Sequence, residues 1–174
     1  MSTAPTPAFE TENARLAALA GHDAIDLAAP HQDLGPHVWL SSQPDSGARL
    51  GFAPTEGGFL LRMETAGQSP WVSLSCTLDI GTVRSGRYVG LILQVVSDGL
   101  FAFRPCLRFL KDEGYRDVFA DQHMASSGGA HLLQGHIAIP QDQIADSRGA
   151  ELHLFFSGDA FEARIERMET VLMR

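Results

Sequence analysis

The sequence predicts an all-β protein: an antiparallel two-sheet jelly-roll sandwich carrying a short N-terminal helical extension. Three observations predict it. From residue 37 onward the chain divides into about nine to eleven strand-like runs at roughly ten-residue spacing, separated by Gly-, Pro- and Asp-containing turns. No helical segment lies between consecutive runs, which argues against a parallel α/β sheet. Most runs are apolar on one face and polar on the other, as in sheets that share one core and face outward to water or a ligand.

The elements follow in order. Residues 1–8, with Pro5 and Pro7 among small and polar residues, predict a flexible leader. Residues 10–20 predict about three helical turns, with Leu16, Leu19 and Ala20 on one face and Gly21 as the stop. Residues 21–36 read as irregular, so 1–36 is expected to be a flexible extension and 37–174 the sandwich domain. His22, Asp23, Asp26, His31 and Asp33 supply metal-ligating atoms there, but no regular element fixes their geometry, and the stretch reads as a solvated loop. Residues 37–42, 48–53 and 58–64 are strands divided by Pro44-Asp45-Ser46-Gly47 and Pro54-Thr55-Glu56-Gly57. Over 71–79, Val72, Leu74, Cys76 and Leu78 alternate with Ser73, Ser75 and Thr77, and residues 81–86 turn.

The chain is organised around residues 87–110. Val89, Leu91, Leu93 and Val95 share a face before Ser97-Asp98-Gly99, and Phe101, Phe103, Leu107 and Phe109 share one after it. An Asp-Gly between two period-two runs predicts a β-hairpin. The opposite faces carry Tyr88 and Gln94 on the first strand and Arg104 and Arg108 on the second. Pro105 cannot donate to a ladder, which predicts either a protected edge or a bulge near a site. A short strand at 115–120, a turn at 126–129, and a strand at 130–140 with Gln134 and His136 on its polar face come next. One helical turn within 141–149, a strand at 151–157 with Leu152, Leu154 and Phe156 inward, and a long strand over 160–173 close the chain.

Composition narrows the function. With 44% hydrophobic and 20% charged residues, global disorder is excluded. A net charge of −8 lacks the basic footprint that phosphate backbones and anionic membranes require, so no nucleic acid or membrane partner is expected. All basic residues but Lys111 are arginine, a bias that a GC-rich genome explains and that weakens each arginine as a site marker. Cys76 and Cys106 make no disulfide framework and no zinc spacing. The N-terminus has no basic region followed by an apolar core, and no stretch approaches a membrane span, so a soluble cytoplasmic chain is expected.

No catalytic motif is present: GxSxG, HExxH, GxxxxGK and GxGxxG are all missing. Glycoside hydrolysis needs paired carboxylates, whereas 151–157 offers Glu151 alone and Glu162, Glu166 and Glu169 read as solvated. His131 and His136, five apart on a strand, face opposite sides and cannot share a metal. No enzyme activity, catalytic residue, cofactor or metal is therefore expected. What remains is the polar sheet face, where Gln94, Arg104, Arg108, Gln134, His136 and His153 can be brought together with Tyr88. Trp71 and Trp39 are further aromatic candidates. Forked hydrogen bonds beside a ring suit a hydroxyl-rich ligand. The other reading of that face is that it is solvated, or covered by the N-terminal segment.

Residues 71–79, the strand over 86–96, the LRFLKDEGYRDVF stretch and the ELHLFFSGDAFEARIERMETVLM ending together resemble a carbohydrate-binding-module (galactose-binding-like) jelly roll over residues 37–174. The resemblance implies a non-catalytic, lectin-like domain that binds a glycan or polysaccharide on a sheet face or adjacent loops. It also implies a frequent structural calcium, for which this sequence offers no acidic cluster. A different reading is a protein-interaction or homo-oligomeric assembly module that uses the same face or an edge strand, with the N-terminal segment as a docking arm.

Overall fold

Period-two alternation buries every second side chain, and the chain forms two antiparallel sheets packed on their apolar faces. The computed structural model describes residues 8–26, 30–64, 71–157 and 160–174; of the expected leader, all but Ala8 lies outside them. One sheet has six strands in the order β1 (Ile25–Asp26), β4 (Arg49–Thr55), β5 (Gly58–Glu64), β13 (Phe161–Met173), β7 (Tyr88–Ser97) and β11 (Gly129–Ala138). The other runs β10 (Met124–Ser126), β8 (Phe101–Leu110), β12 (Gly149–Ser157), β6 (Trp71–Leu78), β3 (Val38–Ser42) and β2 (His31–Gly35), with β9 (Tyr115–Phe119) also on β8. Between the layers Phe101 and Phe156 meet Phe161, and Phe103 packs on both Phe101 and Phe156, with ring centroids 5.0 to 5.8 Å apart. Single helical turns at α2 (Ile80–Arg84), capped by the Asp79 carboxylate, and α3 (Gln141–Ile144) join strands. Among the described residues no helix is long and apolar enough to cross a membrane.

Residues 54–58 are a true hairpin. Thr55 pairs with Gly58 across Glu56-Gly57, and Gly57 has a φ of 80°. Gly58 lies against a bulge between Ile165 and Arg167 in β13, where an added Cβ would sit 2.1 Å from the Ile165 carbonyl oxygen. Only glycine lets those two backbones approach so closely.

The expected hairpin at 87–110 does not form. Both edges of β7 are occupied, by β11 on one side and β13 on the other, so β8 cannot pair with it. Asp98-Gly99-Leu100 instead carries the chain from one sheet to the other, and the two apolar faces meet across the core. Ser97 holds the corner, its hydroxyl 3.0 Å from both the Gly99 carbonyl and the Ser126 hydroxyl. Nor is Pro105 on an edge strand. On one flank it pairs with Leu154; on the other it falls between β10 and β9, where its carbonyl accepts from the Ala120 N–H. The missing donor is tolerated because the neighbouring strand changes at that point.

Of the extension expected over residues 1–36, the described segments 9–26 and 30–36 are part of the body. Phe9, Leu16 and Leu19 are buried, and β1 and β2 pair within the sheets. Helix α1 (Glu10–Ala18), continued by a 3₁₀ turn at Leu19–Gly21, is bonded to both layers. Asn13 Nδ2 donates to the Thr170 carbonyl at 2.9 Å, and its Oδ1 accepts from the Thr170 N–H and hydroxyl at 2.8 and 3.0 Å. One residue earlier, Glu12 Oε1 accepts from the Asp79 N–H at the end of β6, 2.9 Å away. Residues 9–21 are therefore no free docking arm. Asn13→Ala, which leaves the Thr170 groups without this partner, should lower the unfolding free energy by about 1–3 kcal/mol. Urea titration checks this, with an unchanged slope of free energy against urea showing that the same body unfolds.

Candidate functional site

Antiparallel register turns the outer face of the seven-stranded sheet into a grid of side chains. One row runs Cys106, His153, Ser75 and Trp39 across β8, β12, β6 and β3. On one side of it lie Asp117, Arg108, Glu151 and Thr77; on the other, Arg104, Phe155, Ser73 and Ser41. Above the grid is a groove of about 550 Å³. Trp39 and Trp71 line it from β3 and β6, Tyr115 and Phe119 from β9, so aromatic rings stand along both flanks of a floor that mixes polar side chains with Phe155.

The polar groups hold one another in place. Arg108 donates from Nε and Nη2 to the two oxygens of Asp117 at 2.7 and 2.8 Å, and its guanidinium lies 3.8 Å from the centre of the Tyr115 ring. The Asp117 carboxylate thereby raises the proton affinity of the guanidinium, against a smaller opposing effect of burial. Charge, fork geometry and stacking all favour arginine over lysine here. Arg104 donates from Nε to the Ala120 carbonyl at 2.9 Å and lies 5.0 Å from the Phe119 ring centre. His153 Nε2 is 2.9 Å from Glu151 Oε2 and Nδ1 is 2.7 Å from the Ser75 hydroxyl, which is 3.2 Å from that of Ser73. A carboxylate only accepts, so Nε2 donates to Glu151, and Nδ1 is left to bond the Ser75 hydroxyl. Ser75 is buried and does not line the groove, whereas Ser73 does. The chain of bonds orients His153, which also stacks on Phe155 with ring centres 5.5 Å apart.

The sequence-derived candidates divide between two faces. Arg104, Arg108, His153 and Trp71 line the groove. Tyr88, Gln94, Gln134 and His136 do not; they belong to β7 and β11, in the other sheet. There Gln94 Nε2 donates to Glu166 Oε2 at 2.9 Å, Tyr88 meets His136 edge-on with ring centres 5.2 Å apart, and Gln134 and His136 border a separate cleft of about 300 Å³. The eight residues do not form one site, because β7 and β8 lie in different layers. Sequence reasoning weighs Glu151 only as a lone hydrolytic carboxylate and does not name Asp117, Phe119 or Phe155 as candidates. Their signal was parity: 115, 117 and 119 alternate outward on β9, and 151, 153 and 155 do so on β12. Among the described residues no group of three or more His, Cys, Asp or Glu is placed to hold a metal, and the side chain of Asp26 lies outside those residues.

No family model matches the chain, and no curated protein matches it by sequence. Solved structures do share its fold. A family 11 carbohydrate-binding module of Clostridium thermocellum, in complex with a β-1,3-1,4-mixed-linked tetrasaccharide, superposes with a TM-score of 0.56 at 9% identity, over 86% of this chain and 95% of that one. The xylan-binding domain of Paenibacillus barcinonensis Xyn10C, a family 22 module, gives 0.52 at 12% identity over 78% and 86%. A second family 22 module, from Clostridium thermocellum Xyn10B, gives 0.50 at 14% identity over 76% and 85%. At these identities the likeness is one of fold: the chain is a jelly-roll β-sandwich of the kind seen in carbohydrate-binding modules.

The floor of the groove also hides a thiol. Burial pushes Cys106 up to about 12, with the Asp117 charge adding to it, and Cys76, on the core side of β6, is pushed up to about 12 by burial as well. Neither forms the thiolate at ordinary pH, and both are shielded. A thiol reagent at pH 8 should therefore label neither cysteine in the native protein and both in denaturant, counted by intact mass.

Proposed function

We propose that the groove binds a glycan without transforming it. The observation that carries this reading is the arrangement of Trp39 and Trp71 on one flank, and Tyr115 and Phe119 on the other, of a floor in which the guanidinium groups of Arg104 and Arg108 lie beside Phe155. Sugar rings have an apolar face that packs on aromatic side chains and hydroxyls that need paired donors and acceptors. The groups are already held by their neighbours, which lowers the ordering cost of binding. Both carboxylates in the groove are engaged with cationic or donor groups, Asp117 with Arg108 and Glu151 with His153, which favours recognition over glycoside cleavage. The fold neighbours whose names record a bound tetrasaccharide and xylan binding support the same ligand class. The proposal keeps the expected cytoplasmic location, with which two unpaired thiols are consistent.

One observation favours assembly as a second reading. β11, ten residues long and free of proline and acidic or basic charge other than histidine, ends the six-stranded order, and Leu132 on it is exposed. A terminal strand of that kind can pair with another chain. A concentration-dependent mass in light scattering, together with no glycan binding, would put this reading first.

Calorimetry with mixed-linkage β-glucan, xylan and uronic-acid oligosaccharides tests the first reading. Binding should be modest, and Trp71→Ala should weaken it at least tenfold, about 1.4 kcal/mol, with unchanged circular dichroism. Absence of binding to every oligosaccharide would overturn it.

A further inference from the structure

We infer that the groove selects a carboxylate-bearing sugar, a hexuronic acid unit seated on Arg104; this rests on the glycan-binding reading above. The groove is lined by two arginines, two histidines and two carboxylates. Asp117 is held bidentately by Arg108, and Glu151 by His153. Both carboxylates lie in or beside the Arg108 row of the grid. Arg104, four residues along the same strand face, pairs with Phe155 in the register, beyond which lies Ser73. Among the described residues no carboxylate is within ion-pair distance of Arg104, and its only hydrogen bond runs from Nε to the Ala120 carbonyl.

That bond has a second consequence. It fixes the plane of the guanidinium while neither Nη group has an acceptor among the described residues. Phe119 beneath the ion adds a favourable stacking surface. A half-buried, oriented guanidinium whose two Nη groups lack an acceptor among the described residues can give a carboxylate two parallel hydrogen bonds, one from each Nη. A neutral hydroxyl meets only part of that capacity. His123, which also lines the groove and has no hydrogen-bond partner among the described residues, offers a further donor. Trp71 stands on the opposite flank for the ring of the same sugar. The protein as a whole is acidic, so attraction at long range does not explain such a preference. It must come from local contact.

The test uses matched pairs: oligogalacturonate, glucuronate-substituted xylo-oligosaccharide and oligoguluronate, each against its carboxyl-reduced counterpart of equal length, by calorimetry on the full chain. The expected result is at least tenfold tighter binding of one acidic member over its reduced partner, with that ratio falling to near one in Arg104→Gln. Arg104→Lys, which keeps the charge but loses the planar fork, should retain only part of the ratio. Circular dichroism confirms that each variant is folded. Equal or tighter binding of the reduced members would overturn the inference and leave glycan binding standing. A ratio unchanged in Arg104→Gln would likewise overturn it. Failure of every acidic and neutral sugar to bind would overturn both.

Discussion

A strand has two edges, and both edges of β7 are taken. That constraint decides where the rest of the molecule goes. With β11 and β13 in place, the chain leaving Ser97 has no pairing position in its own sheet and must cross to the other layer. The crossing delivers the Phe101–Leu110 strand to the sheet that contains β6 and β12, with its phenylalanines in the core and Arg104 and Arg108 outward. The groove exists because those arginines arrive beside Glu151, His153 and Phe155 rather than beside Gln94 and Tyr88.

On the groove face, polar groups are tolerated at low exposure because each has a partner. Arg108 and Asp117 form a charge-assisted, bidentate pair with a ring against the cation, and His153 is bonded at both ring nitrogens. Such networks are stiff when complete. Their stiffness turns a sheet surface into a template, since a ligand meets side chains already in position. Arg104 departs from this pattern: its Nε donates to the Ala120 carbonyl, and among the described residues no carboxylate is within ion-pair distance of it.

Much of the architecture was legible because alternation reports which face of a strand is buried. The strand expected at 58–64 is the strand observed, and the inward sets at 72–78, 101–109 and 152–156 are those in the core. Alternation is silent about which layer a strand joins. A hairpin and a crossing between sheets leave the same pattern in residues 87–110, and the Asp-Gly turn signal serves both. The candidate site was therefore half legible: parity placed Arg104 with Arg108 and His153, but the assumed hairpin added four residues of the opposite face. The N-terminal segment was misjudged for a different reason. β1 has two residues and β2 five, too few for a periodic signal, and Phe9 is buried by a contact with distant strands that no local pattern records.

The position of β13 has a consequence for how the molecule comes to be. It lies in the middle of the six-stranded sheet, between β5 and β7, yet it comprises residues 161–173. Until the ribosome has released that segment, β1, β4 and β5 cannot join β7 and β11, and half of the sandwich lacks its central ladder. Completion of the sheet therefore waits until residues 161–173 have been made, and pairing across such long sequence separations is slow. During that interval the apolar faces of the earlier strands are without their layer, which is when a nascent chain of this topology most needs shelter from its neighbours.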